Sequence, residues 1–113
     1  MDNMLDFSGK TVIVTGGGKG VGRGITECFL AAGADVLICG RSAPISLPRS
    51  GAREAVFIAC DVRDYEQIEA CVTFAVQRFG RVDVLVNNAG GAPYAEAAIN
   101  SQANARNRSM PMP

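Results

Sequence analysis

Apolar residues fall into four short runs along the chain, and polar or glycine-rich segments separate these runs. The runs cover residues 11–14, 36–39, 55–60 and 82–86, and the first, Thr-Val-Ile-Val, is entirely β-branched. Short runs that are apolar on nearly every residue are typical of strands buried on both faces of a sheet. We therefore expect an α/β protein with a parallel sheet covered on both sides.

Two of the segments between these runs have the spacing of amphipathic helices. In residues 20–32 and 65–79 the apolar side chains recur every three or four positions, which places them on one helix face. Gly33 predicts the end of the first helix, and Asp64 predicts an N-cap for the second. Right-handed crossovers between the strands then give a doubly wound sheet.

Residues 40–53 lack a helical period and contain Pro44, Pro48 and Gly51. This composition predicts a loop. A loop in place of a helix would leave one face of the sheet thinly covered.

Composition limits the function classes. The chain has 113 residues, of which 48% are hydrophobic and 19% are charged, so one globular domain is expected. Eleven basic and eleven acidic residues cancel, which argues against nucleic acid and membrane surfaces as partners. No apolar run approaches the length of a membrane span, and the acidic N-terminal segment does not resemble a signal peptide, so we expect a cytoplasmic location.

Histidine is absent, which excludes Ser-His-Asp and Cys-His catalysis within this chain. The four cysteines, Cys28, Cys39, Cys60 and Cys71, do not form a CxxC pair. They lie in apolar or amphipathic stretches, and we expect buried, reduced thiols and no metal site.

The strongest local signal is the glycine-rich segment 15–22, TGGGKGVG, between the first strand and the first helix. A glycine loop before a helix N-terminus can hold a pyrophosphate, because free N–H groups and the helix dipole face the anion. Two other phosphate-binding motifs are excluded. A P-loop requires GK[ST] after a strand, but the only such triplet, at 9–11, comes before the strand. The strict dinucleotide-binding pattern GxGxxG does not match the segment in any alignment. A tight turn without a ligand is the remaining alternative.

Three motifs in order resemble the short-chain dehydrogenase/reductase family over residues 5–94. They are TGxxxGxG at 15–22, Asp61-Val62 after the third strand and Asn-Asn-Ala-Gly at 87–90 after the fourth. The resemblance implies a Rossmann-type sheet, here truncated after about four strands, and hydride transfer between a nicotinamide dinucleotide and a carbonyl, alcohol or C=C substrate. It assigns cofactor binding to Thr15, Gly16, Gly18, Lys19, Gly20, Val21, Gly22, Arg41, Asp61, Val62, Asn87, Ala89 and Gly90.

The end of the second strand indicates which nucleotide is preferred. A 2′-hydroxyl is bound by a carboxylate at this position, whereas a 2′-phosphate needs a cation. Here Gly40 stands where relatives that use NAD carry aspartate, Arg41 follows it, and Lys19 lies in the glycine loop. These residues favour NADP over NAD.

Family catalysis uses a Tyr-xxx-Lys pair and a serine, and this sequence has no such pair. Its tyrosines are Tyr65 and Tyr94, and the residues four positions later are Glu69 and Ala98. We therefore assign no catalytic residue and expect the chain alone to be inactive. Two alternatives stay open: a non-catalytic nucleotide-binding or interaction protein, and a truncated gene product without its own activity.

The expected organisation is a partial NAD(P)-binding domain over 1–98 and a polar, disordered tail over 99–113. The fourth strand should pair with the first and leave its other edge open. An open apolar edge favours self-association.

Overall fold

A computed structural model describes residues 6–88 of the chain. Both predicted helices and all four predicted strands are present, together with two additional short strands. The elements are β1 Thr11–Thr15, α1 Gly20–Ala31, β2 Asp35–Gly40, β3 Arg49–Ser50, β4 Arg53–Glu54, β5 Val56–Ala59, α2 Tyr65–Phe79 and β6 Val84–Asn87. The tail predicted over 99–113 and the domain end at 98 lie outside the described residues.

Four parallel strands form the main sheet, in the order β5-β2-β1-β6. Val12 of β1 is in register with Val36 of β2 on one side and with Val84 of β6 on the other. The predicted pairing of the fourth long strand with the first is therefore confirmed. The strands run in one direction, so their carboxyl ends form one edge of the sheet.

The core consists of two layers, one on each face of the sheet, because side chains alternate along a strand. Ile13 and Leu37 point to the face covered by α2, where they pack with Ile68, Cys71 and Ala75. On the opposite face, α1 contributes Leu30 to a cluster with Val12, Val14, Val36 and Ile38. Buried strands with a helix on each side confirm the predicted α/β architecture.

The helix ends follow the predicted signals. Asp64 accepts a hydrogen bond at Oδ1 from the Glu66 amide over 3.0 Å, so it caps α2 as expected. Gly33 follows α1 with φ +97°, a left-handed conformation that glycine adopts without strain.

The segment predicted as a loop over 40–53 contains a small antiparallel hairpin, which corrects that prediction. β3 pairs with β4 through Arg49–Glu54 and Ser50–Arg53. Ahead of the hairpin, Leu47 packs against the core on the α1 face and Pro48 is fully buried. This segment therefore covers part of the face that was expected to be thinly covered.

β6 begins at Val84, two residues later than predicted. Asp83 lies beside β1, where its carboxylate accepts a hydrogen bond from the Thr11 amide over 2.8 Å. In the part of the chain that the structure describes, β6 has a strand neighbour on one side only. Self-association through its other edge stays a prediction.

No helix within 6–88 is long and apolar enough to cross a membrane.

Candidate cofactor-binding groove

A groove of about 790 Å³ opens at the carboxyl ends of the central strands. This position matches the crevice in which open α/β sheets bind ligands, and the volume suits an organic ligand. Its lining combines the glycine loop, the end of β2 and the segment that follows β2. The lining residues are Gly16, Gly18, Lys19, Gly20, Arg23, Cys39, Gly40, Arg41, Ser42, Ala43, Pro44, Ile45, Ser46, Phe57 and Asn88.

The glycine loop has the backbone geometry of an anion cradle. Gly16 and Gly20 have φ values of +66° and +58°. A Cβ atom on Gly20 would meet no atom within 4 Å, so this backbone borders the open groove. α1 begins directly after Lys19, with no side-chain cap and no acidic residue in its first turn. Its first amide groups and the positive end of its dipole are therefore suited to a phosphate.

Gly22 has a different role, which is close packing between α1 and the loop. A Cβ atom there would lie 2.1 Å from the Gly16 carbonyl oxygen and 2.4 Å from Asn88 Nδ2. Only a residue without a side chain permits this approach.

Thr15 and Asn88 connect β1 to the end of β6. The Thr15 hydroxyl donates to the Val86 carbonyl over 3.3 Å and accepts from the Asn88 amide over 2.9 Å. Asn88 Nδ2 donates to the Gly16 carbonyl over 3.2 Å. Thr15 is buried and positions the groove rather than lining it. Asn88 is absent from the residues predicted for the site, although the motif at 87–90 contains it.

Arg23 is a second groove residue that the sequence did not reveal. Its guanidinium donates to the carbonyl oxygens of Gly18 over 3.1 Å and Ser46 over 2.9 Å, and it pairs with Glu27 at 3.3 Å. This side chain therefore joins the glycine loop to the segment after β2.

Two further cations, Lys19 and Arg41, lie on the groove and are exposed. Neither forms a salt bridge within residues 6–88. Arg23 is already paired with Glu27, so the positive charge available to a ligand comes from Lys19 and Arg41, and the described lining contains no carboxylate. The groove therefore favours an anionic ligand.

Asp61 and Val62 are placed differently from the other predicted site residues. The Asp61 carboxylate accepts bonds from Arg63 Nε at 3.0 Å and Nη2 at 2.9 Å, and these contacts lower its pKa to about 2. The charge of Arg41 makes the smallest contribution to the same lowering of the pKa of Asp61. Val62 packs against the core on the α2 face. Neither Asp61 nor Val62 is part of the groove lining as described.

The remaining predicted residues either do not line the groove or lie outside the described part. Val21 is 75% exposed in the first turn of α1. Asn87 Oδ1 is buried and has no hydrogen-bond partner among the described residues. Ala89 and Gly90 lie outside the described residues.

Replacing Arg63 with glutamine should raise the pKa of Asp61 from about 2 toward its ordinary value of 3.8. The folded-state pKa lies below the unfolded value, so the ionised carboxylate stabilises the fold above about pH 4. That contribution is lost as the pH falls through about 2. A side-chain carboxyl NMR titration measures the shift, and Arg49→Gln is the control because Arg49 pairs with Glu54 instead. An unchanged Asp61 pKa in Arg63→Gln would contradict this explanation.

The cysteines depart from expectation at one position. Cys39, Cys60 and Cys71 are buried and reduced as predicted, whereas Cys28 is exposed on α1. The expectation of four buried thiols is therefore wrong for Cys28, because α1 buries the face that carries Gly22, Thr26 and Leu30, and Cys28 lies on the opposite face.

Comparisons with known proteins agree with this arrangement. Residues 10–110 match the family model described as short chain dehydrogenase. An L-fucose dehydrogenase from Bos taurus is 44% identical over 93 residues, which cover 77% of this chain and 33% of that protein. The chain spans 31–41% of the length of the relatives compared.

Solved structures that are similar to this chain include further dehydrogenases and reductases. A short chain dehydrogenase from Mycobacterium smegmatis superposes with a TM-score of 0.73 at 26% identity, over 92% of this chain and 55% of that one. An actinorhodin polyketide ketoreductase variant, solved with NADPH, gives a TM-score of 0.62 at 34% identity, over 73% of this chain and 33% of that one. The parallel sheet, the glycine loop at its carboxyl edge and the family match agree, and the chain belongs to the short-chain dehydrogenase family.

Proposed function

We propose that this chain forms the NADP(H)-binding portion of an oxidoreductase that transfers hydride to or from a carbonyl or alcohol substrate. The observation that carries this proposal is the charge of the groove: Lys19 and Arg41 lie on it without a salt bridge within residues 6–88, and its described lining has no carboxylate. A dinucleotide with three phosphate groups matches that charge better than one with two. When bound, the nicotinamide ring would supply or accept the hydride.

The chain's residues fit the dinucleotide in two places. The pyrophosphate would lie against Gly20 and the first amides of α1, where the backbone is open to the groove, with Gly18 beside it in contact with Pro44. The 2′-phosphate would lie at the end of β2, where Gly40 leaves space and Arg41 supplies a guanidinium. Arg23 would hold the two sides of the groove at the correct separation through its bonds to Gly18 and Ser46.

The choice of NADP(H) is supported by the similar ketoreductase, whose structure was solved with NADPH. NAD is the alternative. It would leave the Arg41 guanidinium without a phosphate partner.

Arg41→Asp tests the cofactor preference. A charge-assisted hydrogen bond contributes about 1.5–3 kcal/mol, so the parent should bind NADPH more tightly than NADH and the variant should lose roughly 10- to 100-fold in NADPH affinity. NADH affinity should stay within a few-fold. Calorimetric titration of the parent and the variant with both nucleotides measures these changes.

Arg49→Asp is the matched control, because it makes the same change of charge on β3, outside the groove lining. Equal affinity of the parent for NADPH and NADH would refute the assignment of Arg41 to the 2′-phosphate.

The isolated chain should show no dehydrogenase or reductase turnover. It can hold a cofactor, but its sequence contains no Tyr-xxx-Lys pair to transfer the proton that accompanies hydride transfer. Nicotinamide absorbance, followed with a panel of aldehydes, ketones and alcohols, measures turnover. Activity that copurifies with the chain and disappears in Gly20→Val would contradict this prediction. Cofactor binding without turnover would favour a non-catalytic nucleotide-binding role for the chain on its own.

A further inference from the structure

Three cysteines that are far apart in sequence meet beneath the cofactor groove. Cys39 lies near the end of β2, Cys60 directly follows β5 and Cys71 lies on α2. Their sulfur atoms are all within 4.8 Å of one another, and each residue is 3% exposed. The cluster could not be predicted from the spacing of the cysteines in the sequence, because the residues meet only when the ends of two strands pack against a helix.

The sulfur positions are close to those of a three-coordinate thiolate site. A three-coordinate central atom about 2.3 Å from each sulfur, the usual zinc–sulfur length, places the sulfurs about 4 Å apart when it is planar, and about 3.5 Å apart when it carries a lone pair and is pyramidal. Side-chain rotations that move the sulfurs by less than about 1 Å would therefore close the site.

The apolar surroundings determine which central atom is suitable. The three thiols share one cluster with Ile13, Leu37, Ile68 and Ala75. Each of the three residues is only 3% exposed, so water cannot solvate a charge placed among the sulfurs. Negative charge is therefore disfavoured here. Three thiolates around a monovalent or divalent cation would leave a net negative charge, whereas three around a trivalent centre would leave none.

We propose that Cys39, Cys60 and Cys71 form a binding site for one trivalent thiophilic metalloid, of which arsenite is the simplest form. In the binding reaction, arsenous acid exchanges its three hydroxyl groups for the three sulfurs. Three As–O and three S–H bonds break, three As–S bonds form, and three water molecules leave. Arsenic stays trivalent and the net charge does not change.

The experiment uses the reduced full chain with sodium arsenite as the probe. Native mass spectrometry should show one arsenic atom in place of three hydrogens, and X-ray absorption should show three sulfur neighbours and no oxygen. Zinc chloride, used in parallel, should bind more weakly. Two or fewer sulfur neighbours, or tighter binding of zinc than of arsenite, would overturn the proposal.

Two matched variants locate the site. Cys71→Ser should retain the fold by circular dichroism and reduce arsenite affinity by about 100-fold, because the third bond is an intramolecular one. Cys60→Ser should also retain the fold and lose about 100-fold in arsenite affinity, so it tests the site if Cys71→Ser fails to fold. Cys28→Ser, which alters the exposed cysteine, should bind arsenite like the parent. Loss of binding in Cys28→Ser, or unchanged affinity in a folded Cys71→Ser or Cys60→Ser chain, would show that the cluster is not the site.

Discussion

Gly20→Val should abolish NADP(H) binding, with more than about a 100-fold loss in affinity. Gly20 has φ +58°, and its missing side chain would extend into the open groove where the pyrophosphate is expected. Valine would fill that space, and its left-handed backbone would add about 1–2 kcal/mol of strain. Calorimetric titration with NADPH measures the loss, and the thermal transition shows whether the variant remains folded.

Gly24→Val is the matched control. Gly24 lies four residues further along, on the exposed side of α1, where an added Cβ would meet no atom within 4 Å. The control should bind NADPH like the parent. Parent-like affinity in Gly20→Val would show that the phosphates do not lie on this loop.

Gly22→Ala should destabilise the protein even without a ligand. The new Cβ atom would lie 2.1 Å from the Gly16 carbonyl oxygen and 2.4 Å from Asn88 Nδ2, so α1 would have to move away from the loop. Overpacking of this kind costs about 3 kcal/mol, and more where backbone must shift. For a domain of this size the melting temperature should fall by roughly 10–25 °C, measured by circular dichroism.

Gly24→Ala provides the comparison for that experiment, because it makes the same substitution in the same helix without a clash. It should raise stability by about 0.5–1 kcal/mol, since alanine is a better helix former than glycine. A Gly22→Ala chain that melts within a few degrees of the parent would show that α1 does not pack as closely as described.

Periodicity predicted the large elements well because burial on the two faces of the sheet determines them. α2 has the predicted bounds, 65–79, since its apolar positions and its Asp64 cap are both local signals. The β3–β4 hairpin was missed because strands of two residues have no measurable alternation. The start of β6 was placed two residues early because Val82 is apolar and packs on the core without joining the sheet.

The groove was only partly predictable for a related reason. The glycine loop is a contiguous motif, so its position was evident from the sequence. Arg23 contacts Ser46, 23 residues away, and Asn88 contacts Gly16, 72 residues away. The residues next to Arg23 and Asn88 in the sequence do not indicate these contacts, because the contacts form only after α1 and β6 have packed. The Cys39–Cys60–Cys71 cluster was missed for the same reason.

Amide NMR of the labelled chain during titration with NADPH shows directly whether the groove beside the glycine loop holds NADP(H). We expect saturable chemical-shift changes concentrated at Gly18, Gly20 and Arg41, and unchanged signals from Gln77 and Arg78 near the end of α2. Saturable shifts centred on α2 or the β3–β4 hairpin, or no shifts at millimolar NADPH in a folded chain, would contradict it.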